Sequence, residues 1–158
     1  MQLHLEETDA RSISPDNLIL LYNSGMTKYL GIDYGKRYLG LALSDDDGVL
    51  AFPHSIVLND EHLFPYLSEL IKKESISGIV LGESYDLDGN PNILMDDILI
   101  FKTELEKTVR IPAIFQKEFL SSFEASRFQH NRVRADDSAA AIILQRYLDK
   151  NNQRKSTQ

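Results

Sequence analysis

Four acidic signals in this chain stand where they could do chemistry. Asp33 closes an apolar run, Tyr29-Leu-Gly-Ile32, and is followed by a turn holding Gly35 and by a second apolar run, Leu39-Gly-Leu-Ala-Leu43. Glu83 follows the apolar run Ile79-Val-Leu-Gly82, Glu118 follows the segment Ile114-Phe-Gln116, and Asp136-Asp137 opens an Ala-rich stretch. A carboxylate at the end of a strand can hold a metal ion or orient a phosphate, although it can also bond to its own turn. Gly31 and Gly35 lack side chains on either side of Asp33 and so let backbone or ligand come close. Mg²⁺ and Mn²⁺ prefer such oxygen ligands, with water and substrate phosphate completing the shell. Two ions about 3.5–4 Å apart can activate a water and stabilise the leaving oxygen of an in-line displacement. The acids therefore point to metal-assisted hydrolysis of a phosphodiester. Clustered carboxylates repel one another, so the site should be partly protonated or mobile until metal binds.

The residue pattern supplies the elements that would position these groups. Strands are predicted over Thr27 to Asp33, Tyr38 to Ser44 and Val49 to Leu58. Asp45-Asp-Asp-Gly48 forms the turn between the second and third, and Pro53 marks an edge or bulge. A helix follows from Glu61 to Ser75, its apolar positions Leu63, Tyr66, Leu67, Leu70 and Ile71 at helical spacing. Ile76 to Leu81 is a buried strand, and Gly82 to Asn92 a loop. Ile93 to Thr108 is a helix with Ile93, Ile98, Phe101 and Leu105 facing the core. Pro112 to Gln116 is a fifth strand. A short helix from Ser122 to His130, capped by Ser121 or Ser122, precedes a last helix from Asp136 to Asp149. The order βββαβαβαα implies an α/β fold. It is a mixed five-stranded sheet of three antiparallel strands, then strands joined by crossover helices, with helices on both faces. This is the strand order of the ribonuclease H-like fold.

If strands one, four and five run parallel, Asp33, Glu83 and Glu118 share one rim, the usual place for ligands in such sheets. One of the two aspartates opening the last helix is accounted for as its cap. Asp137 shares a helix face with Ala140, Ala141, Leu144 and Leu148. Asp136 also has apolar neighbours three, four and seven residues on, so periodicity alone does not choose between them.

The chain as a whole narrows the possibilities. Its 158 residues suit one domain, spanning 27–150, with an N-terminal extension over 1–26 that is partly disordered and a disordered tail over 151–158. The absence of cysteine excludes disulfides and thiolate-bound zinc. No apolar run reaches transmembrane length and no signal peptide is visible, so no membrane association and a cytoplasmic location are expected. His4, His54, His62 and His130 form no ligand pattern. The net charge of -7 argues against indiscriminate nucleic-acid coating. A local basic patch could still grip substrate, and Lys36, Arg37, Arg127, Arg132 and Arg134 are its candidates. Tyr85 and Phe119 could stack on a base.

At these residues the chain resembles the YqgF family, also called RuvX. These are small ribonuclease H-like proteins described as Holliday junction resolvase-like and as pre-16S rRNA maturation nucleases. The resemblance lies in four motifs in order: Gly31-Ile-Asp-Tyr-Gly35, with Gly40 and Ser44-Asp45; Ile79-Val-Leu-Gly82 with Asp88-Gly89; Glu118-Phe-Leu-Ser-Ser-Phe-Glu-Ala125; and Asp137-Ser-Ala-Ala-Ala-Ile-Ile-Leu144. It covers about residues 28 to 150. It implies catalytic, metal-binding acids at Asp33, Glu118 and Asp137, with Asp136 left as the cap, and a nucleic-acid substrate, either structured RNA or branched DNA. The protein would work as a monomer or homodimer with Mg²⁺ or Mn²⁺. The chain departs from the family pattern in three places. Lys117-Glu118-Phe119 stands where the family often has Asp-Glu-Arg, Gly82-Glu83-Ser84 where it has Gly-Leu-Pro, and Tyr38 where Arg is frequent. The second departure puts an extra acid at a strand end, so Glu83 is a candidate to supplement or replace Glu118. Two other classes compete with a nuclease: a catalytically silent nucleic-acid-binding module on the same fold, and a sugar-kinase or actin-like ATPase. The second needs two such domains around a nucleotide cleft, which this chain is too short to supply.

Overall fold

Near-continuous buried runs set the central strands, and small residues set how closely the last helix lies on them. A computed structural model describes residues 27–85, 88–117 and 136–157, with the side chains of the last helix described from Ala139 onward. The strands are β1 (Lys28–Asp33), β2 (Tyr38–Ser44), β3 (Ala51–Leu58), β4 (Ile76–Glu83) and β5 (Ala113–Lys117). The helices are α1 (Leu63–Lys73), α2 (Leu94–Val109) and α3 (Asp136–Ser156). The sheet runs β3-β2-β1-β4-β5. β1, β2 and β3 pair antiparallel, while β1, β4 and β5 pair parallel. This is the mixed five-stranded sheet that the sequence predicts.

Two apolar layers cover the sheet. On one face Leu30, Ile32, Leu39, Leu41, Ile79 and Leu81 pack with Leu63, Leu67 and Leu70 of α1 and with Phe101 and Leu105 of α2. On the other, Tyr29, Ala42 and Val80 meet Ala140, Ile143, Leu144 and Leu148 of α3. Each fully buried aliphatic side chain stabilises the fold by about 1.5–3 kcal/mol.

The third strand behaves as Pro53 requires. β3 lies at the sheet edge, and its register with β2 shifts where Leu41 faces Ser55 and Ala42 faces Pro53. It starts two residues later than the sequence suggests. Asp45 accepts the Val49 and Leu50 amides at 2.7 and 3.1 Å, which holds them in the turn.

Three expectations are corrected. Ile93 is 83% exposed because α2 begins after it; Met95 is buried instead and leads the stripe through Ile98, Phe101 and Leu105. Tyr66 lies at the margin of the α1 face and is 38% exposed. The segment from Asn151 is not a disordered tail: α3 continues through it to Ser156. Its anchors reach across the chain to the turn between β2 and β3. Asn152 donates to the Gly48 carbonyl at 3.1 Å, and Gln145 accepts the Ala51 amide at 2.8 Å and donates to the Val49 carbonyl at 2.9 Å. Arg154 and Lys155 in the last turn complement the negative end of the helix dipole. The predicted helix over 122–130, its serine cap and the extension over 1–26 lie outside the described residues. No helix among the described residues is long and apolar enough to cross a membrane.

Candidate active site

Asp33 is the last residue of β1 and is half-buried. Its neighbours fix which way it faces. Ile32 belongs to the layer under α1 and α2, and the Tyr34 ring lies 5.1 Å from that of Phe101 in α2. Strand alternation therefore sets Asp33 on the opposite face, in step with Tyr29 and Gly31 beneath α3. The turn that follows is tight. A Cβ on Gly35 would collide with the Tyr38 carbonyl oxygen, and Asn59 donates to the Gly35 carbonyl at 3.0 Å.

α3 lies almost directly on β1. A Cβ built on Gly31 would stand 2.7 Å from the Leu144 Cβ and 3.0 Å from the Ala140 carbonyl oxygen. Farther down, the Tyr147 ring meets that of Tyr29 edge-on at 5.3 Å. Higher helix numbers thus pair with lower strand numbers, and the two elements run in opposite directions. One helical turn before Ala140, about 5.4 Å along the axis, come the backbone positions of Asp136 and Asp137. Two residues after Gly31 comes Asp33. The backbone so brings the start of α3 to the end of β1, on the face that Asp33 occupies.

Glu83 shares the rim but not the face. Ile32 pairs with Leu81, so the β4 position beside Asp33 is Gly82, which in turn pairs with Gln116 of β5. Asp33, Gly82 and Gln116 form one row beneath α3. Glu83, in step with Ile79 and Leu81, alternates to the other side and pairs with Lys117. A hydrogen bond to Glu83 holds the Tyr85 phenol above its usual pKa. The Glu83 Oε2 atom is buried and has no hydrogen-bond partner.

The remaining sequence candidates divide in two. Lys36 is exposed and sits 3.5 Å from Asp97 of α2, and Arg37 lies over the Tyr38 ring at 5.4 Å. Glu118, Phe119, Arg127, Arg132 and Arg134 lie outside the described residues. Among the described residues, no three His, Cys, Asp or Glu side chains come together as a metal site. The donor chemistry at the rim nevertheless suits a hard divalent cation. Asp33 offers carboxylate oxygens, and the row beside it continues with a residue that has no side chain.

One feature escaped the sequence reading. An open groove of about 480 Å³ lies between α3 and the ends of β4 and β5, lined by Glu83, Phe115, Gln116, Lys117, Arg146 and Lys150. The signal was available in the spacing: Arg146 and Lys150 are four residues apart on one helix face. Ending the helix at Asp149 separated them.

Strand order, crossed helices and an acid closing the first strand define a ribonuclease H-like protein. Among solved structures, Thermus thermophilus RuvC in complex with a Holliday junction substrate shares this fold, with a TM-score of 0.54 and 12% identity over 79% of this chain and 95% of that one. The model of the RuvX family, described as Holliday junction resolvase, matches residues 27–150, and the chain belongs to that family. A relative from Lawsonia intracellularis, named "Putative pre-16S rRNA nuclease", is 35% identical over 77% of this chain and 93% of its own length. A second of the same name, from Maridesulfovibrio salexigens, is 34% identical over 77% of this chain and 97% of its own.

Proposed function

We propose that this protein is a metal-dependent nuclease that hydrolyses phosphodiester bonds in structured nucleic acid, and that its substrate is the precursor of 16S rRNA, cut near the 5′ end. The observation that carries this reading is the position of Asp33. It closes β1 on the face over which α3 lies, at the end where α3 begins with two aspartates. RuvX membership and the names of the relatives support the nuclease class.

In this reading Asp33, Glu118 and Asp137 are the catalytic acids and hold Mg²⁺ or Mn²⁺, with Asp136 capping α3. The bound ions supply a more acidic water and a counter-charge for the leaving oxygen. Asp33 contributes a fixed carboxylate on a rigid strand end, so little reorganisation is needed when substrate arrives. Glu83 faces the other way and acts on the structure of the rim rather than on the reacting phosphate. Lys36, Arg37, Arg127, Arg132 and Arg134 grip the substrate backbone. Processing an RNA end needs one cut, which a monomer in the cytoplasm can make; symmetric cutting of a junction needs a dimer.

The test is cleavage by purified protein of four labelled substrates: ribosomal RNA precursor, single-stranded RNA, duplex DNA and a four-way junction. Each is incubated with EDTA, with Mg²⁺ and with Mn²⁺. The expected result is cutting of the RNA precursor that depends on metal. Binding without cutting on every substrate would overturn the proposal in favour of a silent nucleic-acid-binding module.

A further inference from the structure

We infer that Tyr38, Ile56 and Leu58 form an apolar platform beside the Asp33 rim that takes one unpaired base of the substrate strand, with Arg37 at its edge for the adjoining phosphate. The platform rests on the nuclease reading and deepens it: the substrate is a strand whose nucleotide next to the cut is unpaired.

Register places the platform. Asp33 pairs with Gly40 of β2, and Gly40 pairs with Ile56 of β3, so the three positions form one row across the strands. That row belongs to the face over which α3 packs: Leu39 and Leu41 enter the layer under α1 and α2, while Ala42, in step with Gly40, meets α3. Tyr38 and Leu58 pair in the next row of the same face, on the rim side. Tyr38 is therefore the diagonal neighbour of Asp33, about 7–8 Å away between backbones, close to the length of one nucleotide. The hairpin tip that carries it is held from β3. The Asn59 amide donates to the Arg37 carbonyl at 2.9 Å, and the Asn59 side chain donates to the Gly35 carbonyl at 3.0 Å.

The chemistry of the platform selects its occupant. Tyr38, Ile56 and Leu58 are 41%, 40% and 51% exposed, and among the described residues they belong to neither apolar layer. Adjacent apolar side chains left open to water beside a candidate site mark a contact surface. A stable protein interface buries about 800 Å² on each partner, more than three side chains offer. A single base matches their size, and its π-face stacks on an aromatic ring whatever the sequence. The Arg37 guanidinium lies 5.4 Å from the centre of the Tyr38 ring, so a cation stands next to the aromatic as a phosphate stands next to a base. A base inside a continuous duplex is already stacked on both sides and reaches the platform only by being unstacked. The surface therefore favours an unpaired nucleotide.

The experiment uses the full chain and two fluorescent RNAs, a duplex with a single-stranded 5′ extension and a blunt duplex of the same stem. Binding is followed by anisotropy in EDTA, so that no cleavage intervenes. The variants are Tyr38→Ala, Tyr38→Phe and Leu58→Ser, with Ile100→Ser on the exposed side of α2 as a control. Thermal melts confirm folding, and Leu58→Ser carries the test if Tyr38→Ala does not fold. The expected result is that Tyr38→Ala binds the extended RNA at least about fivefold more weakly and Leu58→Ser loses affinity in the same direction. Tyr38→Phe and Ile100→Ser keep wild-type affinity, and the blunt duplex is bound alike by all. Unchanged binding of the extended RNA by Tyr38→Ala, equal losses on both RNAs, or no binding by the wild type would overturn the inference. So would a wild-type dimer in sedimentation that Tyr38→Ala loses while its RNA affinity stays, which would assign the surface to a second copy of the chain. The outcome is separable from the nuclease reading. Selective loss of the extended RNA in a protein that never cuts would leave the platform standing and end the nuclease assignment. Metal-dependent cutting with unchanged binding in Tyr38→Ala would do the reverse.

Discussion

The two faces of the sheet are built differently. The face under α1 and α2 is broad and made of Leu, Ile and Phe side chains. The face under α3 is built around close approach: Gly31 meets Ala140 and Leu144 so tightly that one added methyl has no space. The first face holds the fold together by apolar area. The second fixes where one helix starts relative to one strand end, and Asp33 and the two aspartates of α3 lie at that junction. A mutation in the first should cost stability, and one in the second should cost position.

The largest effect tests that division directly. Leu67→Ala, in the broad layer, should lower stability by about 2–5 kcal/mol in denaturant melts, while the cleavage rate per folded molecule stays within about twofold. If Leu67→Ala lost its rate as well, the faces would not be separable. Gly31→Ala should do both: the new methyl must displace α3, lowering stability by about 1–3 kcal/mol and cutting the rate well beyond the loss of folded protein. Asn152→Ala removes the bond to the Gly48 carbonyl and should cost about 1 kcal/mol with little effect on cleavage, measured by the same melts.

The smallest effect concerns an ion pair away from both faces. Lys28 Nζ lies 2.7 Å from Glu74 Oε2. The hydrogen bond to Lys28 lowers the Glu74 pKa, and the bond to Glu74 raises that of Lys28. The carboxylate contribution is present above its unfolded pKa and is lost as pH falls through the lowered one. The ammonium contribution is present below its unfolded pKa and is lost as pH rises through the raised one. The Tm difference between wild type and Lys28→Met should therefore be largest near neutrality and shrink toward acid and strong alkali. A constant difference from pH 3 to 8 would show that the pair contributes through packing alone.

Much of the sheet was legible because its strands are apolar runs punctuated by Gly, Pro and Asp, and Asp33 stood out as the acid closing the first. What was not legible depended on tertiary contacts. That α3 continues past Asp149 rests on Asn152 and Gln145 reaching the β2–β3 turn, pairings with no local signal. That Ile93 is exposed follows from where α2 begins, one residue later than the apolar pattern suggests. The face of Glu83 required the pairing of Ile32 with Leu81. A strand-end position is visible in sequence, but which side of the sheet it faces depends on register, and a shift of one residue reverses it.

The most direct test of the account compares Asp33→Asn with Glu83→Gln in metal-dependent cleavage of the ribosomal RNA precursor, with melts on both. The account predicts that Asp33→Asn loses at least about 100-fold in rate, more than loss of an outer-shell partner usually costs, and remains folded. Glu83→Gln should keep most of its rate and melt no lower than wild type, because it removes a charge whose buried oxygen has no partner. Equal loss of cleavage in the two variants would contradict the account, because the chemistry would then not be confined to the face beneath α3.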